Sequence, residues 1–117
     1  MKTADIYLKP SCSTCRDAVA DLERRGVSLT KHDIQKELPP AAELKRIVAK
    51  AGVERFLNPR GTTFKARGIK LDGLADDDAM ALVAGEPNLM KRPLVVAGER
   101  FVFGFDRKAY EELFGPC

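Results

Sequence analysis

The chain opens on an alternation. In Ala4-Asp5-Ile6-Tyr7-Leu8 apolar and polar positions take turns, which predicts a first strand over 4–8. Lys9-Pro10-Ser11 breaks the pattern, and a helix can start at about Cys12 or Ser13. Val19 and Leu22, with Cys15 and Ala18 beside them, give that helix one face to bury. Gly26 is its expected stop, preceded by Arg24 and Arg25, whose charges suit the negative end of the helix dipole. Val27 to Ile34 alternates again and predicts a second strand. Pro39 and Pro40 open another helix, in which Leu44, Ile47, Val48 and Ala51 fall at helical spacing before Gly52 ends it.

From 53 to 91 the pattern is helical but broken. It shows a short segment at 53–57, a turn at Asn58-Pro59-Arg60-Gly61, and a helix over 76–84 that begins on Asp76-Asp77-Asp78, acidic residues suited to a helix N-terminus. Leu94-Val95-Val96, the Gly98 turn and Phe101-Val102-Phe103 read as a hairpin. A last helix over about 106–114 buries Ala109, Tyr110, Leu113 and Phe114. The order βαβ, helical insertion, ββ, α is that of a thioredoxin-like α/β sheet. One domain over 1–117 is expected, with the stretch at about 53–91 as an insertion too small to bury a core alone.

Composition narrows the class. The chain has 117 residues, 44% of them hydrophobic and 32% charged, which suits a folded globular domain and not a disordered one. A net charge of +3, from 20 basic and 17 acidic residues, is too balanced to argue for nucleic acid. No apolar run is long enough for a membrane span, and MKTADIYLKP lacks the apolar core of a signal peptide, so a cytoplasmic monomer is expected.

Three cysteines carry the chemistry, two of them in Cys12-Ser13-Thr14-Cys15. A C-x-x-C after the first strand of a βαβ pattern is a redox signature. The first N–H groups of a helix lack intrahelical partners and stabilise a thiolate beside them, so Cys12 should be acidic and Cys15, one turn further in, shielded and less acidic. That difference suits an attacking and a resolving thiol, and Arg16 adds a positive charge nearby. The alternatives are a metal half-site or two ordinary thiols. Zinc would need further ligands, and His32 and Cys117 are not at ligand spacing. His32 reads as structural and Cys117 as incidental. Pro93, in Lys91-Arg92-Pro93-Leu94, stands where a cis proline would face the cysteine turn. Arg60 and Arg92 are the candidates to hold an anion, since a guanidinium can grip an oxyanion or carboxylate with two hydrogen bonds.

Taken together, the strand-Lys9-Pro10-Ser11-Cys12 opening, the Asn58 to Phe64 segment and Lys91-Arg92-Pro93 resemble the ArsC-like family: arsenate reductases, YffB-type relatives and Spx regulators. The resemblance implies a thioredoxin-like fold, with Cys12 as nucleophile and Arg60 and Arg92 as the first two of three anion-binding arginines. The third departs, because the last strand reads Phe103-Gly104-Phe105, and neither Arg100 nor Arg107 is positioned by the sequence to replace it. Cys15 also departs from many reductases and is similar to Spx, a redox-switched partner of RNA polymerase, as is the placing of Gly52. The expected function is a thiol oxidoreductase in which Cys12 attacks a disulfide, a glutathione adduct or an oxyanion and Cys15 resolves it. Glutathione, glutaredoxin or thioredoxin would be the reductant, and no bound cofactor or metal is implied. The alternatives are an Spx-like regulator that binds the RNA polymerase α subunit, and an arsenate reductase proper.

Overall fold

A computed structural model describes residues 2–116. Its elements are β1 (Lys2–Leu8), α1 (Ser13–Arg24), β2 (Val27–Asp33), α2 (Ala41–Ala51), α3 (Val53–Phe56), α4 (Thr62–Arg67), α5 (Asp76–Gly85), β3 (Leu94–Ala97), β4 (Arg100–Phe103) and α6 (Arg107–Phe114). The chain packs as two compact units, the first built from the residues up to Glu37 together with those from Arg92 onward, the second from Leu38–Lys91.

The first unit holds the sheet, in the order β2-β1-β3-β4. β1 and β2 run parallel, with Ile6 opposite Lys31 and Leu8 opposite Asp33, while β3 is antiparallel to both β1 and β4. The parallel pair needs a crossover, and α1 supplies it. Alternation along β1 sends Ala4, Ile6 and Leu8 to one face, where they meet Ala18 and Leu22 of α1 and Tyr110 and Phe114 of α6. The expected face of α1 is there, although Val19 is only half-buried, at the margin of the core. Asp21 joins the buried face because Arg25, one turn later, answers its charge at 2.7 Å and also donates to the Gly115 carbonyl at 2.9 Å.

Gly98 turns the β3–β4 hairpin at φ 62°, the left-handed geometry that tight hairpins ask of glycine. Asp106 accepts the Ala109 N–H at 3.0 Å and so stands just outside α6 as its cap. Of the four residues expected to be buried on α6, Tyr110 and Phe114 are buried, and Ala109 and Leu113 pack against the cluster from its edge.

In the second unit α2 packs on α3 and α5, with Leu44, Ile47, Val48, Phe56, Ala79 and Val83 buried. Pro40 itself is extended, at ψ 144°, and the helix starts one residue later. The turn at Asn58–Gly61 is closed by the Gly61 N–H on the Asn58 carbonyl at 3.1 Å. It leads directly into α4, a helix the pattern did not predict. Only Phe64 is buried in α4, and six residues are too few to show a periodicity.

Candidate functional site

The cysteine turn is a helix cap built from sulfur. Lys9-Pro10-Ser11 leaves β1 and folds back, with the Cys12 N–H donating to the Lys9 carbonyl at 3.0 Å. Cys12 has extended backbone angles, φ −85° and ψ 119°, and is the N-cap of α1. Its Sγ accepts the Cys15 N–H at 3.4 Å, taking a place normally held by a Ser, Thr or Asp oxygen. An N-cap sulfur faces the unpaired N–H groups of the first helical turn, which favour a negative atom.

The two thiols differ in surroundings. Cys12 is half-buried, and burial alone would raise its pKa. Hydrogen bonds from the Cys15 thiol and N–H, then the hydrogen-bonded charge of Arg92, outweigh that and hold Cys12 below the ordinary thiol value. Cys15 is 1% exposed, and burial, with the neighbouring Cys12 adding to it, pushes its thiol up to about 12. The pair therefore consists of a more acidic thiol, Cys12, and a less acidic one, Cys15.

Arg92 arrives from the other side of the sheet order. It ends the return from the second unit into β3, and the Arg92–Pro93 peptide is cis, as expected from the sequence. The Pro93 carbonyl accepts the Gly104 N–H at 2.8 Å, so the chain before β3 is tied to the end of β4. Gly104 has φ 84°, and its carbonyl accepts the Tyr110 hydroxyl at 2.8 Å. A side chain at position 104 would have to adopt that left-handed backbone, which gives a physical reason for glycine there.

Of the residues singled out from the sequence, Cys12, Cys15 and Arg92 meet at one end of the first unit, beside the cis Pro93. Arg16 is exposed and donates to the Pro10 carbonyl at 3.3 Å, so its guanidinium leans over the turn. Arg60 is exposed on the Asn58–Gly61 turn of the second unit. Arg107 stacks over the Phe105 ring at 5.4 Å and lies 3.9 Å from Asp21. Cys117 lies outside the described residues. No cluster of metal-ligating side chains is found among the described residues, and no helix among them is long and apolar enough to cross a membrane.

Sequence reading passed over Asp21 and the carboxylates around His32. The spacing Asp21 to Arg25 was a usable signal, since residues four apart on a helix are neighbours. The carboxylates of Asp5 and Glu37, which hold His32 at 2.8 and 2.6 Å, are far apart in sequence from each other and carried no local signal.

Comparison with known proteins completes the picture. A family model described as the ArsC family matches residues 7–113. The chain is 33% identical to the protein YusI of Bacillus subtilis, over 92% of this chain and 94% of that one. It is 31% identical to the global transcriptional regulator Spx 1 of Lactococcus lactis, over 87% of this chain and 81% of the relative. Among solved structures, one described as a possible arsenate reductase from Streptococcus mutans superposes with a TM-score of 0.80 at 38% identity, covering 97% of this chain and 98% of that one.

Proposed function

The chain belongs to the ArsC family, and from that premise we propose that it is a thiol oxidoreductase whose nucleophile is Cys12. The observation that carries the proposal is the Cys12 sulfur at the α1 N-cap, below the ordinary thiol pKa and hydrogen-bonded to Arg92. The thiolate attacks a disulfide or glutathione adduct; a Cys12–S bond forms as the substrate S–S bond breaks, and one thiolate leaves. Cys15 then attacks the Cys12 sulfur, releasing the second substrate thiol, which takes the Cys15 proton. Substrate is reduced by two electrons and the pair is oxidised to an internal disulfide. Glutathione, glutaredoxin or thioredoxin in the cytosol would return it to the dithiol.

Arg92 holds the anionic part of the substrate, with Arg16 as a further cationic contact, and Pro93 shapes the backbone edge that the substrate meets. By the resemblance to arsenate reductases Gly104 falls at the place of their third arginine, so the substrate proposed is a disulfide in preference to arsenate. Cys15→Ser tests the scheme: the variant should accumulate a stable mixed disulfide on Cys12, seen by mass spectrometry, where the unaltered chain passes to the internal disulfide. A Cys15→Ser chain that still closes an internal bond at the turn would refute the assignment.

A second reading is favoured by the 31% identity to Spx 1 together with the paired cysteines. In it the same pair is a redox sensor and the partner is the RNA polymerase α subunit. Retention of that subunit by the immobilised chain, in only one redox state and without turnover of mixed disulfides, would select this reading over the enzyme.

A further inference from the structure

A cleft of about 500 Å³ opens between α1 and the edge strand β2, wholly within the first unit. It falls in the size range of small-molecule sites, roughly 300–1,000 Å³. One stripe of α1 forms a wall: Arg16, Val19, Ala20 and Glu23. Cys12 stands at the N-cap just before that stripe, next to the Pro10 and Cys15 that line the cleft. Leu8 and Pro10 line the cleft from β1 and the turn, and Cys15 lines it from the helix. The apolar surfaces of Leu8, Val19 and Ala20 would accept a hydrocarbon or aromatic body.

The charges around it are not evenly answered. Lys31 and Glu23 lie 4.0 Å apart and answer each other. The Asp33 carboxylate accepts the Gln35 N–H at 2.9 Å. At the end near the cysteine turn stand Lys9 and Arg16, and neither makes an ion pair among the described residues. Arg16 is steadied over the turn by the Pro10 carbonyl. The cleft therefore has an apolar strip, Leu8, Val19 and Ala20, and at the end near the thiols two cations, Lys9 and Arg16, against the one carboxylate of Asp33.

We propose that this cleft seats the non-reacting arm of the substrate, and that the substrate class is a small organic disulfide with a carboxylate and an apolar or aromatic body. The proposal rests on the oxidoreductase reading above. The carboxylate pairs with Lys9 and Arg16, the body lies against Val19 and Ala20, and the disulfide is brought to Cys12 at the head of the helix. The thiolate of Cys12 bonds to the nearer sulfur as the S–S bond breaks, and the other half departs as its thiolate, with no proton required.

The test uses the reduced full chain and two aromatic disulfides, dithiobis(nitrobenzoate), which carries carboxylates, and dithiodipyridine, which carries none. Each rate is divided by that of alkylation with neutral iodoacetamide, which removes any change in thiolate reactivity. Arg16→Ala and Lys9→Ala should each lower the preference for the carboxylate probe by about threefold, the scale of one exposed charge pair. Ala20→Trp, an exposed position whose new ring would fill the cleft, should lower the normalised rates of both disulfides. In Cys12→Ser, nitrobenzoate alone should shift the backbone amide resonances of Ala20 and Lys31. An unchanged preference in Arg16→Ala and Lys9→Ala, unchanged rates in Ala20→Trp, or shifts confined to the neighbourhood of residue 12 and Arg92, would each overturn the cleft assignment. A Cys12 inert to both disulfides would instead defeat the oxidoreductase reading, and the amide shifts would still decide the cleft.

Discussion

A half-buried sulfur ordinarily stays protonated, because burial penalises the charged form. The Cys12 pKa is nevertheless lowered, and the groups that lower it are the Cys15 thiol and N–H and the Arg92 guanidinium. The α1 cap was legible in the C-x-x-C motif, since the spacing alone places one sulfur at a helix start and the other a turn inside. Arg92 lies eighty residues away in sequence (92 against 12), and only the return of the chain into β3 brings it alongside. The pH dependence follows from the sign of the shift. Alkylation of Cys12 should rise with pH and reach half its limit below the ordinary thiol value of 9.0. Arg92→Ala removes one stabilising charge, so its profile should move to higher pH and its rate at neutral pH should fall, as rates of iodoacetamide labelling across pH would record. An unmoved profile would mean that Arg92 does not support the thiolate.

Elements here are set by their ends as much as by their faces. Cys12 caps α1, Asp106 caps α6, and Gly26 and Gly52 follow α1 and α2 with φ of 83° and 88°. These positions were readable from residue type, because a cap asks for a small set of chemistries. Gly104 was readable only as a missing arginine; its structural part appears in the backbone, where φ 84° joins the end of β4 to the start of α6. Gly104→Ala should therefore cost about 1 kcal/mol, the penalty of a left-handed β-carbon, measured by urea unfolding. α4 went unread because it is a single buried phenylalanine on six residues. Short helices take their stability from tertiary contact, and such contact leaves little trace in a local pattern.

At the scale of the whole molecule, His32 ties separate parts of the first unit together. Its ring stacks on Tyr7 of β1 with centroids 4.4 Å apart, while its two nitrogens meet Asp5 and Glu37 at 2.8 and 2.6 Å. A neutral imidazole has one N–H and can donate to only one carboxylate; the charged ring donates to both. Burial works to lower the His32 pKa, but the hydrogen bonds and charges of Asp5 and Glu37 prevail and raise it above 6.5. A raised native pKa means that this contribution to stability is complete below pH 6.5 and is lost as pH climbs through the native value. Urea unfolding should show stability declining over that window, and His32→Gln should flatten the decline; an equal slope in both chains would exclude His32 as its source. The histidine was read as structural, and the geometry supplies what it holds. By itself the sequence determined the order of strands and helices apart from α4, most of the helix ends and the placing of one cysteine at a helix start, because periodicity, capping and the C-x-x-C spacing are local. Tertiary structure decided which distant charges meet: Arg92 beside Cys12, Asp5 at His32, and Lys31 and Asp33 of β2 along the cleft beside α1. Charge and burial act through space, and the chain brings those groups together only after the sheet has formed.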